Sequence, residues 1–261
     1  SKSAGGSSGG SASALASGQV FLATGNDLGG SLRTPAGFNG IVGLRPSPGL
    51  IPRGVRYMPF DTLWVEGPMA RTVEDIALML DSMAGQDIGD PLSFPSSSGK
   101  FIESLKKNFT PISVAVSEDL GIVPVDPEVR NGFNEAVKMI SNCSWDICDD
   151  IPSFSGVLDA FKTLRGVLMA SMLGNLVETH KDAILEDIRK NVQVGFDAKG
   201  IEIIHAENTR KKLFIEMENF FKLHDFLICP SASVSPFSVD QPFVSEIEGK
   251  KCETYIDWFS I

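Results

Sequence analysis

Two glycine- and serine-rich stretches in the first fifty residues constrain this chain more than any other feature. Residues 5–11 read GGSSGGS, and residues 24–49 read TGNDLGGSLRTPAGFNGIVGLRPSPG. A helix and a strand separate the two on this reading, the strand being the apolar run VFLA at 20–23. A second apolar run, IVGL at 41–44, follows. Short apolar runs between turn residues read as buried strands. Thr34-Pro35 reads as an N-cap with proline at the first helical position, opening a short helix that ends near Gly40. Two serine-bearing glycine turns joined by one helix and one strand suggest two loops meeting over one site.

Alone, the first stretch admits three readings. A flexible linker needs no folded context, yet small residues here run straight on into ASALASG and the strand. A phosphate cradle presents backbone N–H groups to an anion, but the pattern GxxxxGK[ST] is absent and no lysine follows the glycines. Residues 5–9 formally fit the GxSxG elbow. That elbow needs a strand immediately before it, and SKSA is not one. His180, His205 and His224 are the available bases, and each sits in a helix-like or charged context typical of a surface histidine.

Further along, residues 67–85 carry the clearest helix. Thr72 caps it, Glu74 and Asp75 occupy its first turn, and Val73, Ile76, Ala77, Leu80, Met83 and Ala84 recur at helical spacing up to Gly85. Residues 85–100 read as loop and ISVAVS (112–117) as a strand. Asp126-Pro127 opens a second helix with an expected buried stripe of Val129, Phe133, Ala136, Val137 and Ile140. A short strand lies in CSWDICDDIP, long helices fill roughly 154–194 and 201–223, and DFLICPSASVSPF (225–237) is a strand leaving into a loop. TYIDWFSI (254–261) closes the chain on an apolar run. Strands alternating with helices predict an α/β class with a mixed central sheet flanked by helices.

Composition then excludes several classes. The 261 residues carry a formal net charge of −10, which repels phosphate backbones, so no nucleic-acid binding is expected. No run of 18 apolar residues suggests a membrane span. Cys143, Cys148, Cys229 and Cys252 are too few for a disulfide scaffold, and no histidine near CSWDIC completes a metal set. No metal is expected, and reduced thiols suit a cytoplasmic location.

The segments GGSSGGSASALASG, NDLGGSLRTPAGFNGIVGLRPSPGLIPRG and GPMARTVEDIALMLDSMAG, in this order, resemble the amidase signature family. The likeness is strong over residues 1–95 and weaker over 110–240. It implies one domain over 1–261: a core with both turns at 1–95, a mainly helical covering region at 96–224, and a strand and loop at 225–261. It also implies a Ser–cisSer–Lys triad. Ser31 matches the nucleophile and Ser7 the relay serine, with a cis bond at Gly6–Ser7. Leu28, Gly29 and Gly30, with Ser31, match the turn whose backbone N–H groups form the oxyanion hole. Asp27 and Arg33 match an acid and base that shape that turn, and we read them as a buried or half-buried ion pair. Asn26 departs from the Thr or Ser usual before the aspartate.

The resemblance places the lysine well upstream of Ser7, in a segment absent from these residues; Lys2 is too close in sequence to serve. The expectation is therefore an internal fragment, incomplete at both ends, inactive alone and poorly soluble. The expected whole is an amidase that hydrolyses a carboxylic amide through an acyl-enzyme. It needs no cofactor, takes a small-molecule amide, engages no membrane, and leaves homo-oligomer formation open. Two alternatives stand: a glutaminase-type subunit of a tRNA-dependent amidotransferase, and a non-catalytic scaffold that keeps the fold.

Overall fold

The structure is a computed structural model that describes residues 1–97, 99–107 and 112–259, with backbone alone at 258 and 259. The first part of the chain runs α1 (Gly9–Ala16), β1 (Leu22–Asp27), α2 (Arg33–Asn39), β2 (Val42–Gly43), β3 (Val65–Ala70), α3 (Val73–Met83) and α4 (Lys100–Ser104). The strands form an antiparallel sheet in the order β1-β3-β2. β3 aligns Ala70 with Leu22 and Val65 with Asp27. Small residues let this layer close tightly: Ala12 and Leu15 of α1 pack with Leu32, Ala36 and Met69 in one buried cluster.

Sequence expectation and structure differ here in three places. The VFLA strand starts later, at Leu22, and runs through Thr24, Gly25 and Asn26, because β3 offers a partner to all six residues. Phe21 is therefore not buried: it is 80% exposed, beneath the guanidinium of Arg71. Residues 67–70 belong to β3, and the helix begins only after Thr72, whose hydroxyl accepts the Asp75 N–H at 3.1 Å. Thr34 is no cap. It lies inside α2, buried, with a hydroxyl that has no hydrogen-bond partner among the described residues. The helix does end as expected, at Gly40 in the left-handed region.

The second part contains β4 (Ser113–Val116), α5 (Pro127–Ile140), β5 (Asp146–Asp149), α6 (Val157–Thr179), α7 (Glu186–Asp197), α8 (Gly200–Phe220) and β6 (Phe226–Ile228). Its strands are parallel in the order β5-β4-β6, so the helices are crossovers. Val114, Ala115 and Val116 bury the central strand. Asp126 caps α5 as expected, accepting the Glu128 N–H at 2.8 Å. The stripe of α5 is only half-buried, and Ala136 is exposed. His224 is not a surface histidine: it is 9% exposed, between Ser113 Oγ at 3.1 Å and Asp150 Oδ2 at 2.9 Å. The loop read over 85–100 includes residue 98, and the closing apolar run includes 260 and 261; these lie outside the described residues.

Helices α6 and α7 cross at two glycines. A Cβ on Gly195 would lie 2.1 Å from the carbonyl oxygen of Gly166, so the backbones touch. A hairpin, β7 (Glu246–Ile247) with β8 (Lys250–Lys251), and a short α9 (Ile256–Phe259) follow. The first residues pair with residues 237–239: Ser3 donates to the Phe237 carbonyl at 2.7 Å, and Val239 to that of Ser1 at 3.2 Å.

Candidate active site

The two glycine turns meet. The first leads into α1 and the second joins β1 to α2. Ser8 links them, its backbone N–H donating to the Ser31 carbonyl at 3.3 Å. Its hydroxyl lies 3.4 Å from both the N–H and the carbonyl oxygen of Asn26. This contact requires glycine at position 25, because a Cβ there would lie 2.6 Å from Ser8 Oγ. Gly5 has φ +73°, and a Cβ on it would press within 3.1 Å of Pro35 at the start of α2. The Gly6–Ser7 peptide bond is cis.

Ser7 and Ser31 both line the same two hollows. One, of about 360 Å³, is bounded by Gly6, Thr34, Phe38 and Phe237. The other, of about 220 Å³, is bounded by Asn26, Leu28, Gly29, Trp64, Phe161, Arg165 and Met169. Tyr255 borders both. Lys2 borders neither; it is exposed and paired through its backbone with Ser238.

Asp27 organises the second turn. It is fully buried, and its carboxylate accepts the N–H groups of Gly30 at 2.7 Å and Leu32 at 3.2 Å. Arg33 donates to it twice at 3.0 Å. Arg45 adds a contact at 3.1 Å and also donates to the Asp27 carbonyl. Burial alone would raise the Asp27 carboxyl. The hydrogen bond and charge of Arg33, the Gly30 N–H and the charge of Arg45 outweigh it and hold the group below its ordinary value. The pair is thus half-buried on the arginine side, as the residues suggested, but it is a three-membered cluster.

Gly30 therefore spends its N–H inside the turn and has none for a substrate. Among the described residues, the N–H groups of Leu28, Gly29 and Ser31 have no acceptor. Gly29 faces the wall of the smaller hollow, where a Cβ would stand 3.0 Å from the ring of Phe161.

Sequence reasoning missed Ser8, Arg45, Trp64 and Arg165. A single arginine in an apolar run, as in IVGLRP and in TLRGVLM, is a signal of its own, since a buried guanidinium must find acceptors. Trp64 is placed by a buried ion pair. Arg53 meets Asp61 at 3.2 Å, and Asp61 accepts the N–H groups of Leu63 at 3.0 Å and Trp64 at 3.1 Å. Among the described residues, no group of three or more His, Cys, Asp or Glu side chains is arranged to hold a metal ion. Nor is any helix long and apolar enough to cross a membrane.

Comparison with known proteins bears on the family and the fold. The Amidase family model matches residues 1–260. An acylamidase of Rhodococcus erythropolis is 32% identical over 98% of this chain and 54% of its own length. A glutamyl-tRNA(Gln) amidotransferase subunit of Listeria monocytogenes is 27% identical over 90% of the chain and 54% of its own. Among solved structures, a bacterial aryl acylamidase of the amidase signature family superposes with a TM-score of 0.89 at 25% identity, over 98% of this chain and 56% of that one. A 6-aminohexanoate cyclic dimer hydrolase, 24% identical, shares the fold with a TM-score of 0.82, over 99% of this chain and 58% of that one. The chain spans about half the length of the curated relatives it matches. With both serine turns in place within an α/β fold shared with these structures, the chain belongs to the amidase signature family.

Proposed function

We propose that the protein hydrolyses a small carboxylic amide to an acid and ammonia or an amine, with Ser31 as nucleophile. One observation carries the reading. Ser31 and Ser7 stand on two interlocked turns and line the same hollows, beside three backbone N–H groups with no acceptor. A serine hydroxyl attacks a carbonyl only when a base takes its proton. Ser7 relays that proton to a neutral lysine supplied from outside these residues, accepting from Ser31 while donating to the lysine. The N–H groups of Leu28, Gly29 and Ser31 stabilise the developing alkoxide, a donor of this kind contributing about 3–4 kcal/mol to the transition state. Asp27, Arg33 and Arg45 hold the turn that aims them, with Asn26 at its entry. Loss of the leaving amine gives an acyl-enzyme on Ser31, and water releases the acid. We also propose a cytoplasmic location, which suits the four free thiols.

The likeness to an amidotransferase component supports a second reading, release of ammonia from glutamine for a partner. Fluorophosphonate labelling of the full-length protein tests the common core. Labelling that Ser31→Ala abolishes supports the nucleophile, and labelling that survives this substitution refutes it. A non-catalytic scaffold would give no labelling at all. Strict preference for glutamine over simple amides selects the second reading.

A further inference from the structure

The smaller hollow beside Ser31 holds a charge without a counterion among the described residues. Arg165 of α6 is 8% exposed and lines this hollow. Its guanidinium donates to Asn191 Oδ1 and, at 2.8 Å, to the Tyr255 hydroxyl. Both partners are neutral, and the crossing of α6 and α7 at Gly166 and Gly195 brings Asn191 within reach. Arginine has five N–H donors, so most of them remain without an acceptor among the described residues. The face of Tyr255, 5.9 Å away, offers only partial compensation.

No carboxylate is paired with this arginine among the described residues. Asp187, Glu253 and Asp257 border a neighbouring hollow that Arg165 also touches, but none forms an ion pair with it, and Asp257 is held by Lys162 at 2.8 Å. On the side facing Ser31, Arg165 is the only charged lining residue among those described. The rest of that wall is largely apolar, with Leu28, Phe161 and Met169. Trp64 lines the same hollow, and its indole N–H is buried with no partner among the described residues. A buried guanidinium short of acceptors, in a recess whose other described lining residues carry no charge, with a buried indole donor on one of those residues, forms a site suited to an anionic acceptor.

We infer that Arg165, with Trp64, makes this hollow select amides whose portion seated there carries a carboxylate. The inference rests on the amidase reading of Ser31, and it assigns the substrate class that this reading leaves open. Arg165 is a specificity-determining residue: it holds the substrate carboxylate and leaves the attack on the amide to Ser31.

The test is equilibrium binding by calorimetry to the full-length Ser31→Ala protein. Two matched pairs place the charge on either side of the amide. Glutaric acid mono-4-nitroanilide is set against 5-oxohexanoyl 4-nitroanilide, and 4-acetamidobenzoate against 4-acetamidoacetophenone. In at least one pair the carboxylate member binds about tenfold or more tightly. Arg165→Gln brings that ratio close to one. Arg165→Lys restores part of it, and Trp64→Phe lowers it severalfold. A ratio below about twofold in both pairs overturns the inference, as does a ratio that Arg165→Gln leaves unchanged. Should Arg165→Gln fail to fold, the ratio in the parent and its response to Trp64→Phe decide. If the Ser31→Ala protein still hydrolyses these amides, the nucleophile assignment falls, while the binding ratio still reads Arg165.

Discussion

The backbone N–H of Ser8 donates to the carbonyl oxygen of Ser31 at 3.3 Å, which ties one glycine turn to the other. The neighbouring Ser7 is thereby fixed against the residue it is proposed to serve. The contact depends on Gly25, whose missing Cβ leaves room for the Ser8 hydroxyl.

Gly25→Ala places a methyl group 2.6 Å from Ser8 Oγ and 2.8 Å from Leu32 Cδ2. Overpacking of this kind costs about 1–3 kcal/mol. Ser8→Ala alone costs about 1 kcal/mol or less, since its hydroxyl contacts are long. The double variant is therefore more stable than the sum of the two losses. A double-mutant cycle in urea checks this; strict additivity would show that the two residues do not compete for space.

Asp27→Asn leaves Arg33 and Arg45 without their shared counterion. Breaking a buried pair in this way costs about 3–5 kcal/mol. The native carboxyl is held below its ordinary value, so its stabilisation is fully present above about pH 4, where an unfolded aspartate is ionised. It is lost as pH falls through the lower folded value. The stability gap between native protein and variant should stay constant from pH 8 to pH 5 and close at more acid pH. Urea titrations at a series of pH values measure the gap, and a gap that closes near neutrality contradicts the assignment.

Asp61→Asn removes the charge that compensates buried Arg53 and weakens the support of Trp64. Stability falls by about 3–5 kcal/mol. Because Trp64 lines the hollow beside Ser31, KM for amide substrates of the full-length protein rises more than kcat falls. Steady-state kinetics together with thermal melts separate the two effects.

Gly29→Ala brings a Cβ within 3.0 Å of the Phe161 ring, the far end of a side chain that can turn aside. The expected cost in stability is about 1 kcal/mol or less. The displaced ring narrows the recess, so bulky amides lose more kcat/KM than acetamide. Equal losses for small and bulky amides would place Phe161 away from the bound substrate.

The pairing of Asp27 with Arg33 is legible because both residues flank one glycine turn. Arg45 is not, because it reaches Asp27 only once β1 and β2 have both joined β3. Local chemistry also marks the Thr72 and Asp126 caps, since each side chain bonds an N–H two or three residues away. Thr34 followed the same rule and failed, because tertiary packing drew it into α2 and buried it. Phe21 reads as core on hydropathy alone, yet strand register leaves it at the surface under Arg71. The role of Gly30 was misjudged for a comparable reason. The motif supplies a glycine N–H, and only the folded turn shows that Asp27 already holds it.

The pairing of residues 1–3 with 237–239 sets an order of events during synthesis. Ser7 is made more than two hundred residues before the strand-like segment that pairs with the residues leading into its turn. Until then the turn that carries the proposed relay serine lacks this pairing. The proposed active centre thus waits on a distant segment for one of its supports, and a nascent chain halted before Phe237 would carry both serines without that support.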